Sequence, residues 1–419
     1  MELFLLKVFA LLRPIMFVES PYHVLGLNMF EAAAIVFSTF LIGAMVIRAA
    51  VWKRFELTGT DMLIVVYIIW CLIAFITYFE VSSFKELGKF ILPFLTYIVA
   101  KSIIADREQY KTLVFIMIVG FILPVMVTAG MTATGHGAEW VNYWTGEPRY
   151  QGVYSGPHNM AHNMTFLLIL CGIYVVLSLN GQRKLVMSMP TKCLLAVLSL
   201  AALYSLYESG VRTPLVGLIV FVAILMYFMN KRLLVIGGIA AVVVGAIFSF
   251  QLKEHFYYES IMFERTGHVE EDELASGRPR LWKQNLDEFS RMPIDRQLAG
   301  VGIGNSVENA HSDLQKIVES HNDLLEVLIQ TGVVGFAIFF ALNATLLRAI
   351  LRLRGHEKHL FLAVFAAVLV MNFASNSYVS RFGLAQMYYF IMAYIELSRI
   401  RQMESAATAV VAPTTGAYR

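Results

Sequence analysis

Residues 193–208 read CLLAVLSLAALYSLYE, residues 209–212 read SGVR, and residues 213–229 read TPLVGLIVFVAILMYFM. Two runs this apolar, each about as long as the hydrocarbon core is thick, read as membrane-spanning helices. The polar link between them is too short for anything but a tight reversal, so the pair forms a helical hairpin across a bilayer. That link carries Arg212. A guanidinium at the bilayer centre costs roughly 2.5–3.5 kcal/mol even on a lenient scale, and Arg212 avoids the cost by sitting at the boundary. If it points inward it still needs an anionic partner. Glu208, one helical turn earlier, is one candidate, and a lipid diphosphate is another.

The same pattern recurs along the chain. The 419 residues are 58% hydrophobic and only 15% charged, with mean hydropathy +0.64. A soluble fold of this length has nowhere to hide so much apolar surface, so the chain is an integral membrane protein surrounded by lipid. The net charge of +3 is close to balanced and gives no reason to expect a nucleic-acid partner. Cys71, Cys171 and Cys193 all lie in apolar runs and read as small packing residues, with no disulfide framework. Lys7 and Arg13 interrupt the first apolar stretch, which reads as a retained span rather than a cleaved signal.

Spans are expected at 3–18, 30–47, 61–79, 88–105, 112–131, 160–179, 193–208, 213–229, 233–250, 327–347, 360–377 and 384–400. The fold class is therefore all-α and polytopic, with about twelve transmembrane helices. Simple alternation puts every basic cluster on one face: Arg48, Lys53 and Arg54; Arg107 and Lys111; Arg183, Lys184 and Lys192; Lys231 and Arg232; Arg348, Arg352, Arg354 and Lys358; Arg399 and Arg401. The excess of positive charge makes that face cytoplasmic, with both termini inside.

The outer face then carries two substantial loops, about 132–159 and 251–320. The chain divides into helices 1–9 with short loops (1–250), a long outer loop with surface helices (251–320), helices 10–12 (321–400) and a flexible cytoplasmic tail (401–419). Within the long loop, Ser276, Pro279, Trp282, Leu286 and Phe289, ending near Pro293, predict a short amphipathic helix. Gly300, Gly302 and Gly304 predict a tight turn. Leu314, Ile317, Val318, His321, Leu324 and Leu328 predict a second apolar stripe.

His321 stands where this loop runs into a span. An imidazole is the side chain best suited to proton transfer near neutral pH, although a buried histidine with one hydrogen bond is a common structural residue. Ser320 and Asp323 read as a capping box, which places His321 in the first helical turn, where the helix dipole favours the neutral, proton-accepting ring. Gly332 and Gly335 then permit close helix packing.

The arginines expected to face outward are Arg149, Arg212, Arg265, Arg278, Arg280, Arg291, Arg296 and Arg381. Most loop arginines are simply solvated. Arg278 and Arg280 flank Pro279 at a helix start, which is a favourable anion site or merely a basic flank. The segment Arg149–Asn159, with His158 at its end and His162 just beyond, places polar and aromatic groups at a helix entrance suited to sugar. Alternatively, Asn159 only caps the helix. The acidic run Glu270, Glu271, Asp272 and Glu273 reads as solvated rather than as a metal site.

Several of these motifs occur in an order that resembles the O-antigen ligase superfamily, which includes O-antigen ligases, O-antigen polymerases and O-linked protein oligosaccharyltransferases. They are Ser276-Gly277-Arg278 with Leu281-Trp282, Gly300-Val301-Gly302-Ile303-Gly304-Asn305, and His321-Asn322 with Gly332 and Gly335. Upstream, Arg149 with Gly152 and Asn159, and Arg212-Thr213, are similar to two further signatures.

The resemblance implies an inverting glycosyltransferase without metal or cofactor, set in a bacterial inner membrane with its active site facing the periplasm. Its donor would be a glycan linked to undecaprenyl diphosphate, and its acceptor lipid A–core oligosaccharide, in lipopolysaccharide synthesis. His321 would be the catalytic residue. Arg212 and Arg278 or Arg280, with Arg265, would meet the diphosphate, while Arg149, His158, Asn159 and Asn322 would contact glycan. A polymerase or a protein glycosylase shares donor and chemistry and differs in acceptor. A lipid-linked glycan transporter is the reading from another class, and the collection of charge at one boundary rather than at the midplane argues against it.

Overall fold

A computed structural model of the chain describes residues 2–19, 58–77, 84–137, 148–179, 185–229, 278–304, 320–375 and 381–397, with short pieces between 23 and 43, at 140–141 and between 232 and 238. Its helices in chain order are α1 (Glu2–Ile15), α2 (Gly59–Thr77), α3 (Phe84–Ile103), α4 (Arg107–Gly120), α5 (Ile122–Ala133), α6 (Pro157–Leu177), α7 (Met189–Glu208), α8 (Arg212–Met229), α9 (Arg278–Arg291), α10 (Ile294–Ala299), α11 (Asp323–Arg352), α12 (Gly355–Ala374) and α13 (Phe382–Met392). The fold is all-α. Two-residue ladders, His23–Val24 with Leu27–Asn28 and Trp140–Val141 with Pro148–Arg149, only pin loops.

Among the described residues, seven helices are long and apolar enough to cross a membrane, counting Arg107–Ala133 as one crossing. The expected span at 112–131 is thus longer and bent, because the helix is interrupted at Phe121. Gly120 there lies against the Leu11 backbone of α1, and Pro124 follows with no amide to continue the ladder. The spans expected at 30–47 and 233–250 fall largely outside the described residues, and the tail falls wholly outside.

Local signals set the helix ends. Asp106 accepts from the Gln109 amide at 2.7 Å to start α4. Ser188 caps α7 ahead of Pro190. Inside the bundle, α13 packs on α3, α12 on α8, α11 on α2, and α6 on α7. Aromatic contacts join them: Phe94 and Tyr389 rings lie 4.5 Å apart, and Tyr110 stacks on Tyr394 at 4.2 Å.

Val197, Leu200 and Leu203 of α7, with Val216, Ile219 and Val222 of α8, are exposed. This apolar surface is what a lipid-facing flank requires. Cys71 and Cys171 are buried as expected, but Cys193 is exposed on that flank rather than used for packing. Because α11 runs from Asp323 to Arg352, it separates His321 from Arg348 and Arg352 by a full crossing.

Candidate active site

The start of α11 differs from the expected capping box. Asn322, not Ser320, is the N-cap: its Oδ1 accepts from the amides of Leu324 at 3.0 Å and Leu325 at 3.2 Å. His321 therefore lies outside the helix, exposed, with φ +50. The stripe expected through 314–328 breaks there, and its part before Ser320 lies outside the described residues. The physical reason is that asparagine competes well for the cap, so the helix starts two residues later than a serine cap at 320 would set it. A left-handed conformation costs an ordinary residue about 1–2 kcal/mol, so the surroundings must hold His321.

Those surroundings come from the long loop. The amphipathic helix expected from Ser276 to near Pro293 is α9, which spans Arg278–Arg291. Trp282 on it donates Nε1–H to the Ser320 carbonyl at 2.8 Å and meets the Phe373 ring edge-on at 5.3 Å. Phe289, Val301, Leu325 and Ile329 form a small core that fastens α9 and the following turn to α11. Gly300, Gly302 and Gly304 all have positive φ, as the tight turn requires.

Gly332 also has positive φ and breaks α11, and Leu298–Gly300 fills the break: Val301 N–H donates to Ile329 O at 2.9 Å. Trp70 of α2 donates to the Thr331 carbonyl at 2.8 Å, so the interrupted helix leaves these groups bonded. Gly332 thus serves a helix–loop junction, while Gly335 faces Trp70 of α2. Beyond the break α11 covers roughly 30 Å, enough to cross hydrocarbon.

Cationic side chains gather at the same end of the bundle. The His158 imidazole, second in α6 behind Pro157, lies within electrostatic range of Arg381, Arg278, His321 and Arg149. Arg278 is half-buried and donates Nη1–H to Thr213 Oγ1 at 3.2 Å and to the Ala374 carbonyl. Burial, and then the neighbouring Arg212 guanidinium, lower its pKa from the ordinary value. Two guanidiniums held close and partly out of water favour an anion between them.

Arg149 lies on the Pro148–Arg149 ladder, with Nε 3.9 Å from where a Cβ on Gly210 would sit, beside the α7–α8 turn. Arg381 donates Nε–H to Asn159 Oδ1 at 2.6 Å, and Asn159 Nδ2 donates to Ser155 Oγ at 2.5 Å.

The structure thus brings together His321, Arg149, His158, Asn159, Arg212 and Arg278. It separates the Arg278/Arg280 doublet: Arg280 is exposed on the surface of α9. Asn159 is not the cap of α6, which is Gly156; it grips Arg381. Asn322, expected against glycan, is buried with its carbonyl oxygen engaged in capping. Arg265 and the acidic run 270–273 lie outside the described residues. Among the described residues no cluster of three or more metal-ligating side chains occurs.

Residues 194–340, from α7 to the middle of α11, match the sequence model of a family described as O-antigen ligase. Over these residues the chain is similar to that family. The match contains Arg212, Arg278, Arg280 and His321, whereas the upstream signature around Arg149 and Asn159 precedes it. No curated protein matches the chain.

Two contributors escaped the sequence reading. Arg381 was one outward arginine among eight, and only the fold carries it to α6. His162, one turn below His158, bonds through Nδ1 to the His158 carbonyl at 2.8 Å, which makes Nδ1 the donor and Nε2 the acceptor. His162 also lines a cavity with Phe166, Asn372, Leu384, Tyr388 and Tyr389.

Proposed function

We propose that the protein is an inverting glycosyltransferase that moves a glycan from undecaprenyl diphosphate to a sugar hydroxyl of lipid A–core oligosaccharide at the outer face of the inner membrane. The observation that carries this reading is the grouping of His321 with Arg278, Arg149 and Arg381 around His158. A proton acceptor and fixed cations occupy one end of the helices, where a lipid-anchored diphosphate arrives by lateral diffusion.

In the step, the acceptor oxygen attacks the anomeric carbon of the first donor sugar from the side opposite the diphosphate. His321 accepts the hydroxyl proton as the new C–O bond forms. The old bond to the diphosphate oxygen breaks with its electron pair, and undecaprenyl diphosphate departs. Charge grows on that oxygen, and Arg278 and Arg212, with Arg149 and Arg381 near them, offset it in partial exclusion from water, the task a metal performs in other transferases. His321, exposed at the loop edge, can reach the acceptor while the guanidiniums hold the donor. The basic residues at the other end of α11 and α12 support the cytoplasmic assignment of that end.

The test is reconstitution of the purified protein with a lipid-linked donor and, separately, lipid A–core, a second lipid-linked glycan and an acceptor protein. Glycan on lipid A–core supports the reading. Glycan on either alternative acceptor replaces it with polymerase or protein glycosylation. Movement of donor across the bilayer with no new bond leaves a transporter.

A further inference from the structure

Ser320, immediately before His321, is held by both of its peptide groups. Its carbonyl takes the Trp282 indole, and its amide donates to Glu326 Oε1 at 2.7 Å. The other carboxylate oxygen, Oε2, accepts from Gln330 Nε2 at 3.1 Å, and Gln330 Oε1 accepts from the Gly304 amide at 2.9 Å. Ser320, Glu326 and Gln330 are all buried, at 0%, 4% and 6% exposure. Positions 326 and 330 are one helical turn apart on α11, so their side chains stack along a single face. A continuous relay therefore runs from the glycine turn to the residue that sets the His321 backbone.

A buried carboxylate at a membrane boundary is expensive unless its oxygens are bonded. Here one oxygen serves a loop amide outside the helix, which a residue needed only for packing would not do. On the reading that His321 is the base, we infer that Glu326 and Gln330 are positioning residues: they transmit the seating of the Gly300–Gly304 turn to His321, so the imidazole is aligned only when the outer loop is docked. Neither touches substrate.

The donor and acceptor pattern supplies a specific test. The carboxylate at 326 takes two donors, while the amide at 330 donates to it and accepts from Gly304. Exchanging the two side chains preserves these three bonds, since an amide at 326 accepts from Ser320 and donates to a carboxylate at 330, which accepts from Gly304. Either single exchange sets amide against amide or carboxylate against carboxylate.

The experiment is glycan transfer by E326Q, Q330E and the double variant E326Q/Q330E in proteoliposomes, with hydrogen exchange of segments 300–304 and 320–322 in the same samples. Each single variant is expected to lose about tenfold or more in kcat, with donor KM within about threefold, as loss of a buried hydrogen bond implies. Each is also expected to exchange faster in both segments, and the double variant to recover both properties. A double variant no better than the worse single variant, or single variants with wild-type exchange, overturns the inference. The exchange measurement does not depend on catalysis, so it reads the relay even where an active His321→Ala variant has removed the base assignment.

Discussion

Gly300 and Gly332 meet backbone against backbone: a Cβ on Gly300 would lie 2.6 Å from the Gly332 amide nitrogen, and a Cβ on Gly332 would lie 2.5 Å from that of Gly300. Each also has positive φ, +86 and +68. The contact seats the outer loop in the break of α11, close to the helix start that follows His321. Gly300→Ala or Gly332→Ala is expected to destabilise the protein by about 1–3 kcal/mol from backbone strain alone, with a larger proportional loss of transfer. Thermal unfolding in detergent, paired with transfer assays, checks this; wild-type values for both would contradict the close approach.

The two arginines that flank Pro279 should behave differently. Arg278 is anchored between Thr213 and Ala374 beside Arg212, whereas Arg280 is exposed. Arg278→Ala is expected to lower kcat/KM for the donor by about a hundredfold, the scale for removing one fixed charge stabiliser, and Arg280→Ala to change it less than about twofold. Initial rates at low donor concentration distinguish them, and equal losses would refute the assignment.

Much of this was legible in the sequence, for reasons that differ by residue. The α9 amphipathic helix, the positive-φ turn at Gly300–Gly304 and seven of the expected spans are local signals that appear among the described residues. The start of α11 was misread because Ser320, Asn322 and Asp323 all make plausible caps, and only the competition between them decides the helix start. Arg381 was hidden because its partner Asn159 is distant in sequence, and no periodicity reports a contact between α6 and the residue preceding α13. The relay through Glu326 and Gln330 has no local signature, because the Ser320 and Gly304 amides it serves lie outside the helix.

Asn159 and Arg381 tie the first turn of α6 to the start of α13. Asn159→Ala and Arg381→Ala should each impair transfer, and the double variant should be little worse than Arg381→Ala. A coupling of about 0.5–3 kcal/mol is expected between groups sharing a partly buried hydrogen bond. Additive losses would show that the two act separately.

The guanidiniums supply the positive charge in this account, so a strong chelator is expected to leave transfer unchanged in proteoliposomes. Loss of activity that magnesium restores would instead require a divalent ion at the donor diphosphate.

The most direct test is a single-turnover comparison of wild type and His321→Ala, with lipid-linked donor already bound and lipid A–core added. A rate lower by about 10²–10⁴-fold is expected for His321→Ala, the usual contribution of a general base, with donor binding retained. Transfer near the wild-type rate would contradict that role.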